Sequence, residues 1–177
     1  MGRNLRSNLT IRDATPADDA LLANLGARTF NEAYAKDLPA ETMAEYLPVA
    51  FNPRVQAEEL REVGSAFLIV EIGEEAVGYA RLKEGQAPPV VGGSRPIELA
   101  RIYLVQEATG SGVGSKLMQA CLEEAKIKGC DRIWLGVWER NERAIAFYRK
   151  WGFAIVGSQT FEMGDELQTD LLMQRLV

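Results

Sequence analysis

Apolar and polar positions recur along this chain in two periods, and the change between them organises it. Residues 1–8 are polar and read as a loose N-terminal arm, after which Leu9-Thr10-Ile11-Arg12 reads as a short strand. Thr15-Pro16-Ala17-Asp18 then supplies an N-cap, a proline at the first helical position and an acid two residues later. Leu21, Leu22, Leu25 and Phe30 carry helical spacing on to about Ala35. Two more proline-marked starts follow: Leu38-Pro39-Ala40-Glu41, with Met43, Tyr46 and Leu47 apolar, and Asn52-Pro53, with Val55, Leu60 and Val63 apolar. The segment 14–64 is therefore predicted to be consecutive short helices.

From Ala66 the pattern becomes that of strands. Ala66–Val70 and Ala76–Leu82 flank the turn residues Gly73-Glu74-Glu75 as a hairpin, the Pro- and Gly-rich Gln86–Pro96 is a loop, and Ile97–Leu104 is a further strand. Gly110-Ser111-Gly112-Val113-Gly114 opens a helix whose apolar face is Val113, Leu117, Met118, Cys121, Leu122 and Ala125, and Lys128-Gly129 ends it. Arg132–Val137 reads as a buried strand and Asn141–Lys150 as a short helix. Ala154–Val156 and Thr169–Arg175 read as strands joined by a turn at Gly164-Asp165. No repeat, low-complexity tract or long linker divides the chain, so a single mixed α/β domain over residues 1–177 is expected.

Composition narrows the chemistry. At 177 residues and 47% hydrophobic the chain can bury a core and is not disordered. With no histidine, Ser-His-Asp and Cys-His nucleophile systems are excluded and the commonest metal ligand is missing, so no metal site is expected. Two cysteines, Cys121 and Cys130, are too few for a disulfide framework and lack an activating histidine, so both read as buried structural thiols. The net charge of −5 argues against nucleic acid as a partner. There is no long apolar run and no signal h-region, and Arg6 stands where N-myristoylation needs Ser or Thr, so no membrane partner and a cytoplasmic location are expected.

A strand, a glycine-rich turn and a helix form an anion cradle, because the turn and first-turn N–H groups point one way and glycine lets a ligand approach the backbone. Two dinucleotide and nucleotide signatures fail here: Ser115 stands where a Rossmann fingerprint needs its third glycine, and Gly114 is followed by Ser115 before Lys116 where a Walker loop needs Lys directly. Thr109-Gly110-Ser111-Gly112-Val113-Gly114 instead resembles the Arg/Gln-x-x-Gly-x-Gly/Ala loop of the GCN5-related N-acetyltransferase superfamily, with Thr109 departing from the usual Arg or Gln. A second block, Asn141-Glu142-Arg143-Ala144-Ile145-Ala146-Phe147-Tyr148-Arg149-Lys150-Trp151-Gly152-Phe153, is similar to that superfamily's Asn-x-x-Ala-x-x-Phe-Tyr-x-x-x-Gly-Phe segment without a gap and in the expected order.

The resemblance implies an acyl-CoA N-acyltransferase fold: an α/β chain with a central mixed, mostly antiparallel sheet, a splayed parallel strand pair (Glu98–Leu104 and Arg132–Val137) and helices on both faces. Residues 66–177 would form the acetyl-CoA-binding core and 14–64 an acceptor-side helical segment. It implies acetyl-CoA as cosubstrate, with its pyrophosphate on Thr109, Gly110, Ser111, Gly112, Val113, Gly114 and Ser115 and its pantetheine arm paired to Ile102, Tyr103 and Leu104 by strand addition. Asn141, followed by Ala144 in the same motif, would hydrogen-bond the arm or cap the short helix, or do both. Lys150 would meet the 3′-phosphate or simply be solvated. Tyr148 would be the general acid for the departing thiolate, since a phenol of ordinary pKa about 10 is protonated at neutral pH. Glu98 would be the general base for the amine, or an edge-of-strand ion pair.

The acceptor side is acidic. Residues 37–75 hold nine acids against two bases, a local balance of −7 that would steer a polycation or merely solvate helix faces. Gly136-Val137-Trp138-Glu139, Thr29-Phe30 with Tyr46-Leu47, and above all Met163-Gly164-Asp165-Glu166-Leu167-Gln168-Thr169-Asp170-Leu171 resemble the Pai-type spermidine/spermine N-acetyltransferases. A polyamine acceptor is the expectation. An amino acid, peptide N-terminus or xenobiotic amine, and a non-catalytic acetyl-CoA-binding regulatory domain, are the alternatives, and a homodimer stays open.

Overall fold

A computed structural model of the chain describes residues 8–163 and 166–177. Its elements run in the order β1 (Leu9–Asp13), α1 (Asp19–Tyr34), α2 (Ala40–Ala50), α3 (Pro53–Arg61), β2 (Ser65–Ile72), β3 (Glu75–Glu84), β4 (Pro96–Leu104), α4 (Val113–Ile127), β5 (Arg132–Trp138), α5 (Glu142–Lys150), β6 (Ala154–Met163) and β7 (Glu166–Leu176). The seven strands are ordered β1-β2-β3-β4-β5-β7-β6, with β4 and β5 parallel, so the sheet is mixed as expected. The expected loose arm (bar Asn8) and the turn at Gly164-Asp165 lie outside the described residues. Two compact units share the chain: one runs up to Arg81 and resumes over Arg101–Cys121, and the other comprises Leu82–Ala100 and Leu122–Val177.

In the first unit, β1 pairs antiparallel with β2 from Leu9↔Ile72 to Asp13↔Leu68. The Thr15-Pro16 signal produces a short 3-10 turn, Pro16–Asp18, before α1 begins. Asp18 holds that turn: its carboxylate accepts from the Thr15 N–H at 2.7 Å and from Arg12 at 2.9 Å, while Arg12 also reaches Glu71 of β2 at 2.9 Å. Helix α1 buries the stripe Leu22, Leu25, Gly26, Thr29 and Phe30. Asn52 caps α3 by accepting from the Val55 N–H at 3.0 Å. The α3 stripe differs from its sequence reading. The helix ends at Arg61, Val63 beyond it is 95% exposed, and the fully buried side chain is Gln56, whose Nε2 donates to the Ala50 carbonyl at 3.1 Å. Burying a polar group with a backbone partner leaves no apolar period to read.

In the second unit, β7 pairs antiparallel with β5 from Arg132↔Leu176 to Trp138↔Asp170, and with β6 from Ala154↔Gln174 to Met163↔Glu166, with an irregularity between Ile155 and Gly157. Trp134, Leu172 and Val91 form a buried cluster on which Ala87 and Val156 pack. The loop before β4 is pinned by Asp131, which accepts from the Ser94 N–H at 2.6 Å and the Arg95 N–H at 3.0 Å. Strands β6 and β7 are longer than the expected Ala154–Val156 and Thr169–Arg175. Ser158 to Glu162 are mostly polar, so no alternation marks them, yet each is paired to β7. Among the described residues no helix is long and apolar enough to cross a membrane.

Candidate active site

The glycine loop lies in the first unit, between the end of β4 and α4. Gly110 and Gly112 have φ of 77° and 91°, a region that favours glycine, and nothing lies within 4 Å of where a Cβ on either would stand. The loop is closed from inside: the Thr109 hydroxyl donates to the Val105 carbonyl at 3.1 Å and the Ser111 hydroxyl to the Ala108 carbonyl at 2.5 Å. The first helical N–H bond back is Lys116 to the Gly112 carbonyl, so Val113, Gly114 and Ser115 supply first-turn N–H groups with no acceptor inside the helix. Val113 is buried and anchors the turn, while Gly110, Gly112 and Ser115 are exposed. An open, glycine-lined surface of N–H groups suits a pyrophosphate, and Thr109 serves the loop's own geometry rather than reaching outward.

Of the predicted pantetheine strand, Ile102, Tyr103 and Leu104 are all half-buried. Just past it, the Val105 N–H donates to the Val77 carbonyl of β3 at 2.9 Å. Alternation then turns the backbone groups of Leu104 and Ile102 away from β3 and those of Tyr103 toward it.

The other predicted residues fall in the second unit. Parallel pairing of β4 and β5 runs over Pro96↔Arg132, Ile97↔Ile133 and Glu98↔Trp134, and both strands continue past it. Glu98 is thus the last paired residue of β4 on this side, half-buried, while Ile97 and Leu99 face the core. Asn141 caps α5, its Oδ1 accepting from the Ala144 N–H at 3.1 Å, which commits its oxygen to the helix and leaves its amide nitrogen as the side-chain donor. Ile145 and Tyr148 form the buried face of α5. Tyr148 is 9% exposed, set edge-on against Phe147 and Phe153 with ring centroids 5.6 and 5.8 Å away. Lys150 is exposed in the last turn. Cys121 and Cys130 are buried and carry no disulfide, and burial pushes the Cys130 thiol up. Among the described residues no group of three potential metal ligands occurs.

The acidic stretch is less free than its letters suggest. Glu59 accepts from Arg101 at 2.6 and 2.8 Å and from Arg81 at 2.7 Å, and Arg81 also reaches Glu62 at 2.5 Å. Burial opposes the Arg101 charge, but the bonds to Glu59 hold its pKa above the ordinary value. Glu71 is taken by Arg12 and Glu58 by Arg54. Three of these arginines (Arg12, Arg81, Arg101) lie outside the counted stretch and offset its charge. Beside this network sits an aromatic cluster that no local pattern revealed: Phe30 lies 4.6 Å from Tyr34, 4.9 Å from Tyr46 and 6.2 Å from Tyr103, and Arg101 lies 5.4 Å over Phe51. Its rings come from α1, α2, β4 and the loop after α2, so only folding joins them.

Comparisons with known proteins agree with the two motif blocks. The acetyltransferase (GNAT) family matches residues 28–153. An uncharacterised N-acetyltransferase of Mycobacterium tuberculosis H37Rv is 35% identical over 161 residues, covering 91% of this chain and 97% of its own. A spermine/spermidine N(1)-acetyltransferase of Bacillus subtilis is 33% identical over 64 residues, covering 36% of this chain and 42% of its own. In fold, the chain resembles the crystal structure of a PaiA N-acetyltransferase from Thermoplasma acidophilum in complex with coenzyme A, with a TM-score of 0.76 and 21% identity over 96% of this chain and 99% of that one. With a family match over most of its length and a relative at 35% identity along nearly all of it, this chain belongs to the acetyltransferase (GNAT) family and is an N-acetyltransferase.

Proposed function

We propose that this enzyme moves the acetyl group of acetyl-CoA directly to a primary amine, with a polyamine as acceptor class. The observation that carries the transfer reading is the open glycine cradle at Gly110 and Gly112, backed by family membership and by the capped α5 that bears Tyr148. Acetyl-CoA supplies an activated thioester. The chain's own residues would do the rest. Backbone N–H groups of the loop from Gly110 to Ser115 hold the pyrophosphate, that of Thr109 being given to the Gln106 carbonyl at 3.1 Å, and Ile102 and Leu104 offer the strand backbone to the pantetheine arm. The amide nitrogen of Asn141 donates to the same arm, Ala144 packs beside it, and the exposed Lys150 would screen the 3′-phosphate. Tyr148 is fixed by Phe147 and Phe153, and its phenol is the donor to the departing sulfur. Glu98, at the last paired position of β4, is the base candidate on that strand.

Support for a polyamine comes from the Gln168-Thr169-Asp170-Leu171 tail and from the likeness over 64 residues to the spermine/spermidine enzyme. Tyr148→Phe tests the mechanism: turnover is expected to fall at least tenfold with calorimetric acetyl-CoA affinity retained, and unchanged turnover removes Tyr148 from the chemistry. An acceptor panel of spermidine, spermine, lysine and a free-N-terminal peptide tests the substrate class; consumption of acetyl-CoA that rises with lysine or peptide but not with the polyamines overturns it.

A further inference from the structure

Asp170 is a partly desolvated carboxylate for which no opposing donor or cation is found among the described residues. It stands on β7, paired in register with Trp138 of β5 on one side and with Gln159 of β6 on the other, so the three side chains share one face of the sheet. Gly136, two residues before Trp138, lies on that face too and contributes no side chain. Asp170 Oδ2 and Gln159 Nε2 reach toward the space this leaves, 3.1 and 3.5 Å from where a Gly136 Cβ would stand. The indole N–H of Trp138 donates instead to Gln168 Oε1 at 2.8 Å, and Arg140 lies over the Trp138 ring at 5.8 Å. Burial alone acts on Asp170, with no donor or cation opposing it among the described residues, and pushes its pKa up to about 6. A lone carboxylate in such a place destabilises the fold, and asparagine would suit the same strand better. The carboxylate leans over a glycine on the sheet face that also carries the Trp138 side chain, and a carboxylate without a counter-ion there is a place for a cation.

We infer that Asp170, flanked by Gln159 and Trp138 on the sheet face over Gly136, binds the ammonium group of the acceptor amine and takes a proton from it for transfer. This rests on the amine-acetylation reading above, assigns the part of that site that meets the nucleophile, and gives the base role to Asp170 in place of Glu98. A bond forms from nitrogen to the acetyl carbon as the carbon–sulfur bond breaks. The ammonium loses two protons: the first goes to Asp170 and frees the lone pair for attack, and the second leaves nitrogen as the tetrahedral adduct collapses and restores Tyr148, whose own proton goes to the departing sulfur. Nothing local in the sequence gives Asp170 and Gly136 a shared role, because residues 34 apart meet only through strand register.

The test separates binding from turnover. Butylammonium chloride is titrated into enzyme labelled with 15N at tryptophan, with the Trp138 indole signal assigned through Trp138→Phe. The wild type is expected to show a saturable shift of that signal, and Asp170→Asn to lose it or need at least tenfold more ligand; equal titrations in both overturn the assignment. In parallel, Asp170→Asn is expected to lower kcat/KM at least thirtyfold for whichever of spermidine, lysine or a free-N-terminal peptide the wild type acetylates. Calorimetric acetyl-CoA affinity should stay within twofold, and the melting temperature should be equal to or above that of the wild type. Retained kcat/KM in Asp170→Asn sinks the subsite and leaves the transfer reading standing. An Asp170-dependent butylammonium shift in an enzyme that acetylates no amine does the reverse.

Discussion

The Glu59 cluster offers the sharpest stability prediction. Glu59→Gln keeps size and shape but removes the charge that two poorly exposed arginines share, their side chains being 7% exposed for Arg81 and 18% for Arg101. Arg81 retains Glu62, whereas the carboxylate contacts of Arg101 at 2.6 and 2.8 Å are both to Glu59. A glutamine oxygen in the Oε1 place could still accept from both guanidiniums, but its NH2 in the Oε2 place then faces Arg101 Nη1 as donor against donor. Breaking a buried pair from one side costs about 3–5 kcal/mol, so a loss of about 3 kcal/mol is expected. For a chain of this length that lowers the melting temperature by about 6–12 °C. Thermal and urea unfolding followed by circular dichroism measure it. Glu58→Gln is the internal control: its partner Arg54 is 88% exposed and Glu58 itself 62%, and a pair of that kind contributes at most about 1 kcal/mol. If Glu59→Gln melts within 2 °C of Glu58→Gln, the network is not a stability element and the reasoning from burial and geometry fails.

Three further outcomes are expected. Gly112→Ala should weaken acetyl-CoA binding at least tenfold by calorimetry and cost about 1 kcal/mol of stability, because φ of 91° is strained for any side chain. Gly78→Ala should cost about 2 kcal/mol, since its Cβ would stand 2.6 Å from the Tyr103 carbonyl and press on Leu104, and backbone cannot step aside as a flexible side chain can; a melting curve that matches the wild type refutes that packing. The pH dependence of unfolding should show Asp18. Its hydrogen bond from Arg12 lowers its pKa to about 2, below the ordinary unfolded value, so its contribution is full above about pH 4 and fades as pH falls through about 2. With Arg12 36% exposed, solvent screening leaves about 1–2 kcal/mol of this, and Asp18→Asn should flatten the acid limb of the stability curve by that amount.

Most of the secondary structure was legible because its signals are local. Proline at a helix start, a capping Asn52 or Asn141, and a glycine at φ > 0 act over a few residues through sterics and hydrogen bonding. The glycine loop and the Asn141-to-Phe153 segment were readable for the same reason: each is a contiguous piece of backbone with one job. Failures came where burial was polar or strands were two-sided. Gln56 fills a core position on the strength of a hydrogen bond, and Ser158 to Glu162 pair along β7 without any apolar face to announce it.

The sequence by itself determined the class of chemistry: no histidine, hence no histidine-activated nucleophile, and two motif blocks that mark an N-acetyltransferase. Only the tertiary structure decided which charges are available. Arg12, Arg81 and Arg101 come from outside the acidic stretch to occupy Glu71, Glu59 and Glu62, so a count of −7 along the chain is not a field of −7 in space. Asp170, which looks like any strand-end acid in the letters, is a partly buried carboxylate with no donor or cation opposing its burial among the described residues. The physical reason is common to both: a charge acts through its distance to other charges and to water, and strand register sets those distances between residues far apart in sequence.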